Sequence, residues 1–261
     1  MSFAERYGPW AVVTGAAAGV GLAFVEELHE RGLGVVMVDV DPAVVDVAGG
    51  LDGDTRACVA DVADAGWIAA LADACDGLDV GLAVANAGIA FPGRYLDMPA
   101  ERRQALLDVN CRATADLASW ALPPMVERGR GGFVATSSGS ALAGTGGVAL
   151  YSATKAFVVN FVEAVGWELR DSGVHLQAIV APSMRTPGLA GSGAHESRML
   201  VPPVDARDVV ARGLDALHLG GRWLADAGLE FVAGVDRPER VRMISEATTA
   251  MYPHLFGPGT A

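Results

Sequence analysis

Residues Thr14 to Gly21 read Thr-Gly-Ala-Ala-Ala-Gly-Val-Gly. They follow directly on the β-branched run Trp10 to Thr14 and lead into an amphipathic stretch, Val20 to Arg31, so a glycine-rich turn stands between a predicted strand and a predicted helix. Gly15 permits a sharp turn, and Gly19 and Gly21 let backbone and helix approach closely. Backbone N–H groups and the positive end of the helix dipole then face a pyrophosphate, cradled by Gly15, Ala18, Gly19, Val20 and Gly21. On this segment alone, glycines that merely close a strand-to-helix turn would read the same way.

The alternation continues along the chain. Further strands are predicted at Val35 to Asp39, Arg56 to Asp61, Val80 to Asn86, Gly132 to Ser137 and Val174 to Ala181, with helices at Ala65 to Cys75, Pro99 to Glu127 and Ser152 to Asp171. Strands apolar on consecutive positions, such as Phe133-Val134-Ala135, belong to a sheet covered on both faces. The expected architecture is therefore α/β: one Rossmann-type domain over residues 1–261, a doubly wound parallel sheet with helices on both faces. Residues 182–204, rich in Gly, Pro and Ser, read as a mobile loop with a short helix. Past Gly221-Arg222-Trp223-Leu224 a tail carries a predicted helix, Pro238 to Tyr252.

Composition excludes several classes. At 261 residues, 51% hydrophobic and 19% charged, the chain is neither disordered nor a small disulfide scaffold. A formal net charge of −12 disfavours nucleic-acid and membrane-surface partners. Cys58, Cys75 and Cys111 form no CxxC pair, and the five histidines lack metal-ligand spacing, so no metal site is expected. A reducing cytoplasm fits, since the N-terminus shows no secretory pattern and Gly, Asp or Arg cuts every apolar run short of a membrane span.

Asp39 closes the second predicted strand, 24 positions after Gly15. An acidic side chain there accepts from ribose hydroxyls and repels a 2′-phosphate, which points to NAD over NADP, although Asp after a strand also forms turns. Lys155 is the chain's only lysine among 19 cationic residues, so an ammonium is specifically wanted there. It lies four positions after Tyr151, on the same helical face, where its charge lowers the phenol's pKa. A solvated surface pair is the plainer reading of that spacing. Ser138 stands where a predicted strand gives way to a loop, placed to donate to a carbonyl oxygen or simply to form a turn.

Taken in order, the glycine-rich turn, Asp39, Asp61-Val62, Asn86-Ala87-Gly88, Asn110, Ser138 and Tyr151-xxx-Lys155 strongly resemble the short-chain dehydrogenase/reductase family over about residues 8–187. The resemblance implies a nicotinamide enzyme in which Tyr151 is the general acid/base, Lys155 lowers its pKa and holds the nicotinamide ribose, Ser138 orients the substrate oxygen and Asn110 joins a water relay. It further implies that Asp61 and Val62 lie at the adenine, that Asn86 to Gly88 support the cofactor, and that Pro182 and Thr186 meet the nicotinamide. The family's Pro-Gly becomes Pro182-Ser183 here, and its Asp-Gly-Gly ending is absent, leaving an atypical tail over residues 221–261.

The segment 183–204 stands where the family builds its substrate lid. Ile89, Phe91, Tyr95, Ala141, Leu142, Val148, Leu150, Met184, Leu189 and Met199 are expected around a pocket for an apolar alcohol or ketone. The helices around 99–127 and 152–171 carry surplus apolar surface and are expected to form a homodimer or homotetramer. The expected activity is an NAD-dependent alcohol dehydrogenase or ketoreductase. A non-catalytic dinucleotide sensor and an isomerase or dehydratase on the same fold are the competing readings.

Overall fold

A β-branched run covered on both faces needs helices above and below it, and the chain supplies them in alternation. The computed structural model describes residues 1–199 and 202–256. Its strands are β1 (Trp10–Thr14), β2 (Gly34–Asp39), β3 (Thr55–Val59), β4 (Val80–Ala85), β5 (Gly131–Ser138), β6 (Val174–Ala181), β7 (Met184–Arg185), β8 (Val204–Asp205) and β9 (Gly221–Leu224). Its helices are α1 (Phe3–Tyr7), α2 (Gly19–Glu30), α3 (Val44–Gly49), α4 (Trp67–Ala74), α5 (Ala100–Leu107), α6 (Ala113–Glu127), α7 (Ala149–Glu168), α8 (Pro187–Gly191), α9 (Ala206–Asp215), α10 (Ala227–Gly234), α11 (Arg237–Met251) and α12 (Pro253–Phe256).

Seven strands form one parallel sheet in the order β3-β2-β1-β4-β5-β6-β9, while β7 and β8 pair separately. The order reverses between β1 and β4, which opens a crevice at the carboxyl ends of the strands. Helices α4, α6 and α7 cover one face through Trp67, Leu71, Leu117 and Val158, and α2, α3 and α9 cover the other through Phe24, Leu28, Val44 and Val210. Period-two alternation assigns the strand residues to these layers: Val12 packs on the first, Ala11 and Val13 on the second.

The helix predicted over Pro99 to Glu127 is interrupted. Between α5 and α6 the chain takes a π-helical turn, Asp108–Arg112, and this wider turn carries Asn110, 1% exposed, into the interior. The predicted tail helix Pro238 to Tyr252 is α11, Arg237–Met251. Helices α9 and α10 had no counterpart in the sequence reading. Among the described residues no helix is long and apolar enough to cross a membrane.

The approach of α2 to β1 depends on Gly21. A Cβ there would lie 1.8 Å from the Gly15 carbonyl oxygen and 2.8 Å from Asn86 Nδ2. Gly21→Ala is therefore expected to cost about 3 kcal/mol or more, lowering the thermal midpoint by roughly 10 °C. An unchanged midpoint in a calorimetric scan would contradict this packing.

Candidate active site

Three strand ends meet at the crevice, and their polar groups are pinned to one another. The Thr14 hydroxyl donates to the Val84 carbonyl (3.3 Å) and accepts from the amides of Asn86 (3.0 Å) and Ala87 (3.1 Å). Asn86 Nδ2 donates to the carbonyls of Thr14 (3.0 Å) and Gly15 (3.2 Å), and Asn86 Oδ1 accepts from the Thr136 hydroxyl (3.2 Å). The turn after β1 is thus locked to β4 and β5 by saturated side chains. Thr14 and Thr136 were not singled out in the sequence; their signal is a Thr near the carboxyl end of a core strand, whose hydroxyl must find a partner there.

The glycine-rich turn has the shape of an anion cradle. Gly15 (φ +65°) and Gly19 (φ +58°) occupy the left-handed region, and a Cβ on Gly15 would lie 2.9 Å from Ala87 Cα. Ala18, the N-cap of α2, offers no side-chain cap, so the first-turn amides are left for a ligand. These features fit a dinucleotide pyrophosphate. Asp39 Oδ2 accepts from the Ala17 amide (2.9 Å) and Oδ1 from the Asp41 amide (3.0 Å), so the carboxylate braces the cradle from β2. Asp61 Oδ1 accepts from the Ala63 amide (2.8 Å), and Val62 is buried.

Behind the crevice, Asn110 joins the loop after β4 to α7. Its Oδ1 accepts from the Ile89 amide (2.9 Å), and its Nδ2 donates to the Ile89 carbonyl (3.0 Å) and the Thr154 hydroxyl (3.0 Å). Lys155, 5% exposed, donates from Nζ to the Thr136 carbonyl (2.9 Å), while its own carbonyl accepts from the Ser137 hydroxyl (2.8 Å). Gly88 makes room for that ammonium, since a Cβ there would sit 3.1 Å from Nζ.

Burial pushes the Lys155 ammonium down to about 8 from its ordinary 10.5, with the neighbouring Cys111 opposing. Burial also raises the Tyr151 phenol; the Ser138 hydroxyl pulls it down and Tyr252 adds to the rise. The sequence predicts a phenol lowered by Lys155, but here Nζ lies 5.8 Å from the ring centroid, held by Thr136, and desolvation dominates. At neutral pH the phenol keeps its proton.

These groups line one cavity of about 770 Å³. Of the residues expected from the sequence, Gly15, Ala18, Gly19, Val20, Asn86, Ala87, Gly88, Ser138, Tyr151, Lys155, Pro182 and Thr186 border it. Gly21 lies beneath the turn, Asn110 behind the wall, and Asp39, Asp61 and Val62 outside the lining. Ile89, Phe91, Val148, Met184, Leu189 and Met199 border the cavity as expected; Tyr95, Ala141, Leu142 and Leu150 do not. The tail adds a wall the sequence did not reveal, with Leu229, Val232, Ile244, Thr248, Met251 and Tyr252.

The family model for short chain dehydrogenases matches residues 9–197. The chain belongs to the short-chain dehydrogenase family. It is 32% identical over 210 residues to the human inactive hydroxysteroid dehydrogenase-like protein 1, a match covering 76% of this chain and 63% of that one. It is 33% identical over 194 residues to mouse 17-beta-hydroxysteroid dehydrogenase type 3, covering 71% and 63% respectively. The chain thus spans just under two thirds of the length of these relatives. A structure from a study of 7beta-hydroxysteroid dehydrogenase stereoselectivity superimposes with a TM-score of 0.84 at 25% identity, covering 94% of this chain and 99% of the other. As a family member, the protein shares the parallel sheet flanked by helices of the short-chain dehydrogenases. The tail wall, from Leu229 onward, lies outside the region the family model matches.

The buried ammonium gives a stability signature. Folding depresses the Lys155 pKa, so its contribution is present above about 10.5 and is lost as pH falls through about 8. At pH 7, Lys155→Met should gain stability relative to the parent, by on the order of 3 kcal/mol less the lost hydrogen bond. That gain should shrink to nothing as pH rises through this window. A pH-independent difference in urea midpoints would contradict the assignment.

Proposed function

We propose that this protein is an NAD(H)-dependent oxidoreductase that interconverts a bulky apolar ketone and its secondary alcohol, poised at neutral pH for reduction. The observation that carries the reading is Tyr151: its phenol borders an apolar cavity, burial keeps it protonated, and Ser138 and Lys155 flank it on the same cavity wall. A carbonyl oxygen placed between the Ser138 hydroxyl and the Tyr151 phenol would accept from both, which draws electron density from the carbonyl carbon. A nicotinamide dinucleotide, which Gly15, Ala18, Gly19 and Val20 would hold, would supply the hydride chemistry at that carbon. As negative charge gathers on the oxygen, Tyr151 transfers its proton there, and the Lys155 ammonium stabilises the phenolate left behind. Asn110, buried and saturated, fixes α7 against the loop after β4 and would order the proton path to Lys155.

Asp39 supports NAD over NADP. Each of its oxygens already holds one amide yet retains lone pairs for ribose hydroxyls, and its charge opposes a 2′-phosphate. Asp61 and Val62 stand at the adenine side and Thr186 beside Gly19 at the nicotinamide side. The apolar lining, together with similarity to proteins named hydroxysteroid dehydrogenases, supports a ketone of polycyclic or comparable bulk. Leu107, Phe157 and Trp167 remain exposed on α5 and α7, which supports a homodimer or homotetramer formed there.

Relatives from four mammals are named inactive, which favours a non-catalytic dinucleotide binder as the second reading. A titration tests the cofactor and turnover separates the two readings. In parallel fluorescence titrations NADH should bind at least about tenfold tighter than NADPH, and Asp39→Ala should narrow the gap to within a few-fold. Deoxybenzoin, a bulky apolar ketone, should be reduced at the expense of NADH absorbance. Preference for NADPH would contradict the role of Asp39, and NADH binding without turnover of any bulky ketone would favour the binder.

A further inference from the structure

The tail is built into the body rather than laid over it. A Cβ on Gly139 would lie 2.7 Å from Leu229 Cδ2, on Gly146 3.2 Å from Ser245 Cβ, and on Gly147 3.2 Å from the Phe256 ring. The loop between β5 and α7 is thus cut back where α10, α11 and α12 seat. Polar ties complete the joint: the Gly146 amide donates to Ser245 Oγ (2.8 Å), and Arg240 Nη1 donates to the Leu142 carbonyl (3.1 Å). The lid is fastened to the same helix, because the His195 amide donates to the Met251 carbonyl (2.9 Å).

Directly after that joint the chain turns Tyr252 inward. Pro253 disfavours helical backbone at the residue before it, and α11 accordingly stops at Met251, with Tyr252 at φ −121° and ψ 62°. The side chain is 7% exposed and borders the cavity it shares with Ser138 and Tyr151. None of the described residues hydrogen-bonds its hydroxyl. A phenol that is buried, rigidly based and unpartnered at the edge of an apolar cavity is a hydrogen-bonding group kept for a ligand. Its proximity is also felt electrostatically, since Tyr252 contributes to raising the Tyr151 phenol.

We infer that Tyr252 is a specificity-determining residue whose hydroxyl bonds a second oxygen on the substrate, next to the carbonyl held by Ser138 and Tyr151. The substrate class is then an apolar ketone bearing a vicinal oxygen: a diketone, or a hydroxy ketone on the product side. This rests on the proposed ketone reductase. It assigns to the tail, outside the family-matched region, the choice among ketones, and leaves the chemistry to β5 and α7.

The test uses a pair of ketones differing by one oxygen, benzil and deoxybenzoin, binding to the protein loaded with NADH. Affinities are read from NADH fluorescence in a Tyr151→Phe background, where no turnover intervenes. Adding Tyr252→Phe, which removes one oxygen atom from the wall, should weaken benzil about tenfold relative to deoxybenzoin, as expected for one hydrogen bond. Thr248→Val, which removes the other hydroxyl on this wall of α11, should shift that ratio less than twofold. An unchanged ratio in Tyr252→Phe, an equal loss for both ketones, a larger shift in Thr248→Val, or failure of both ketones to bind would overturn the assignment. Turnover of the two ketones by the unsubstituted protein is measured separately. Discriminated binding without reduction would refute the proposed activity while leaving the role of Tyr252 intact.

Discussion

The hydrogen bond from Lys155 Nζ to the Thr136 carbonyl, 2.9 Å long, is the constraint around which the crevice is organised. An ammonium with 5% exposure is costly to bury, and every neighbour is shaped to tolerate it. Position 88 has no Cβ, the end of β5 lends a carbonyl, and Ser137 grips the lysine's own backbone from the same strand. Asn110 then fixes α7 from the opposite side through Thr154, and the π-helical turn between α5 and α6 exists where Asn110 enters. Moving any one of these would leave either an unpaired charge or an unpaired amide in the interior.

Much of this could be read from the chain because it is periodic or singular. The alternation of β-branched runs with amphipathic stretches gives the sheet and its two helical layers, and the lone lysine four places after a tyrosine marks α7, which brings both residues to the cavity. What escaped the sequence is what depends on tertiary placement. The wide turn at Asn110 leaves helical periodicity nearly intact, so α5 and α6 read as one helix. The raised phenol of Tyr151 follows first from its desolvation in the folded chain, which no spacing rule contains. Asp39 read as a ribose partner, yet it also braces the glycine-rich turn through the Ala17 amide.

The tail shows the same limit from another side. Its helix was visible between Pro238 and Tyr252, but that its apolar face closes the cavity needed the fold. A signal was nonetheless present, since Tyr252-Pro253 marks where a helix must stop, and glycines crowd the loop between β5 and α7. The frame that holds Tyr151, Lys155 and the glycine-rich turn lies within the family match over residues 9–197, and the tail wall lies beyond it. The polar groups of that frame cannot shift without unpairing buried atoms, and the tail is seated against it through the trimmed glycines of the loop between β5 and α7.

The central claim is that the protonated phenol of Tyr151, on the cavity wall, is the proton donor. Single-turnover reduction of deoxybenzoin by bound NADH, comparing the unsubstituted protein with Tyr151→Phe, tests it most directly. The account predicts a rate loss of about a thousandfold with NADH affinity unchanged within a few-fold. Retention of the rate in the phenylalanine variant would contradict it.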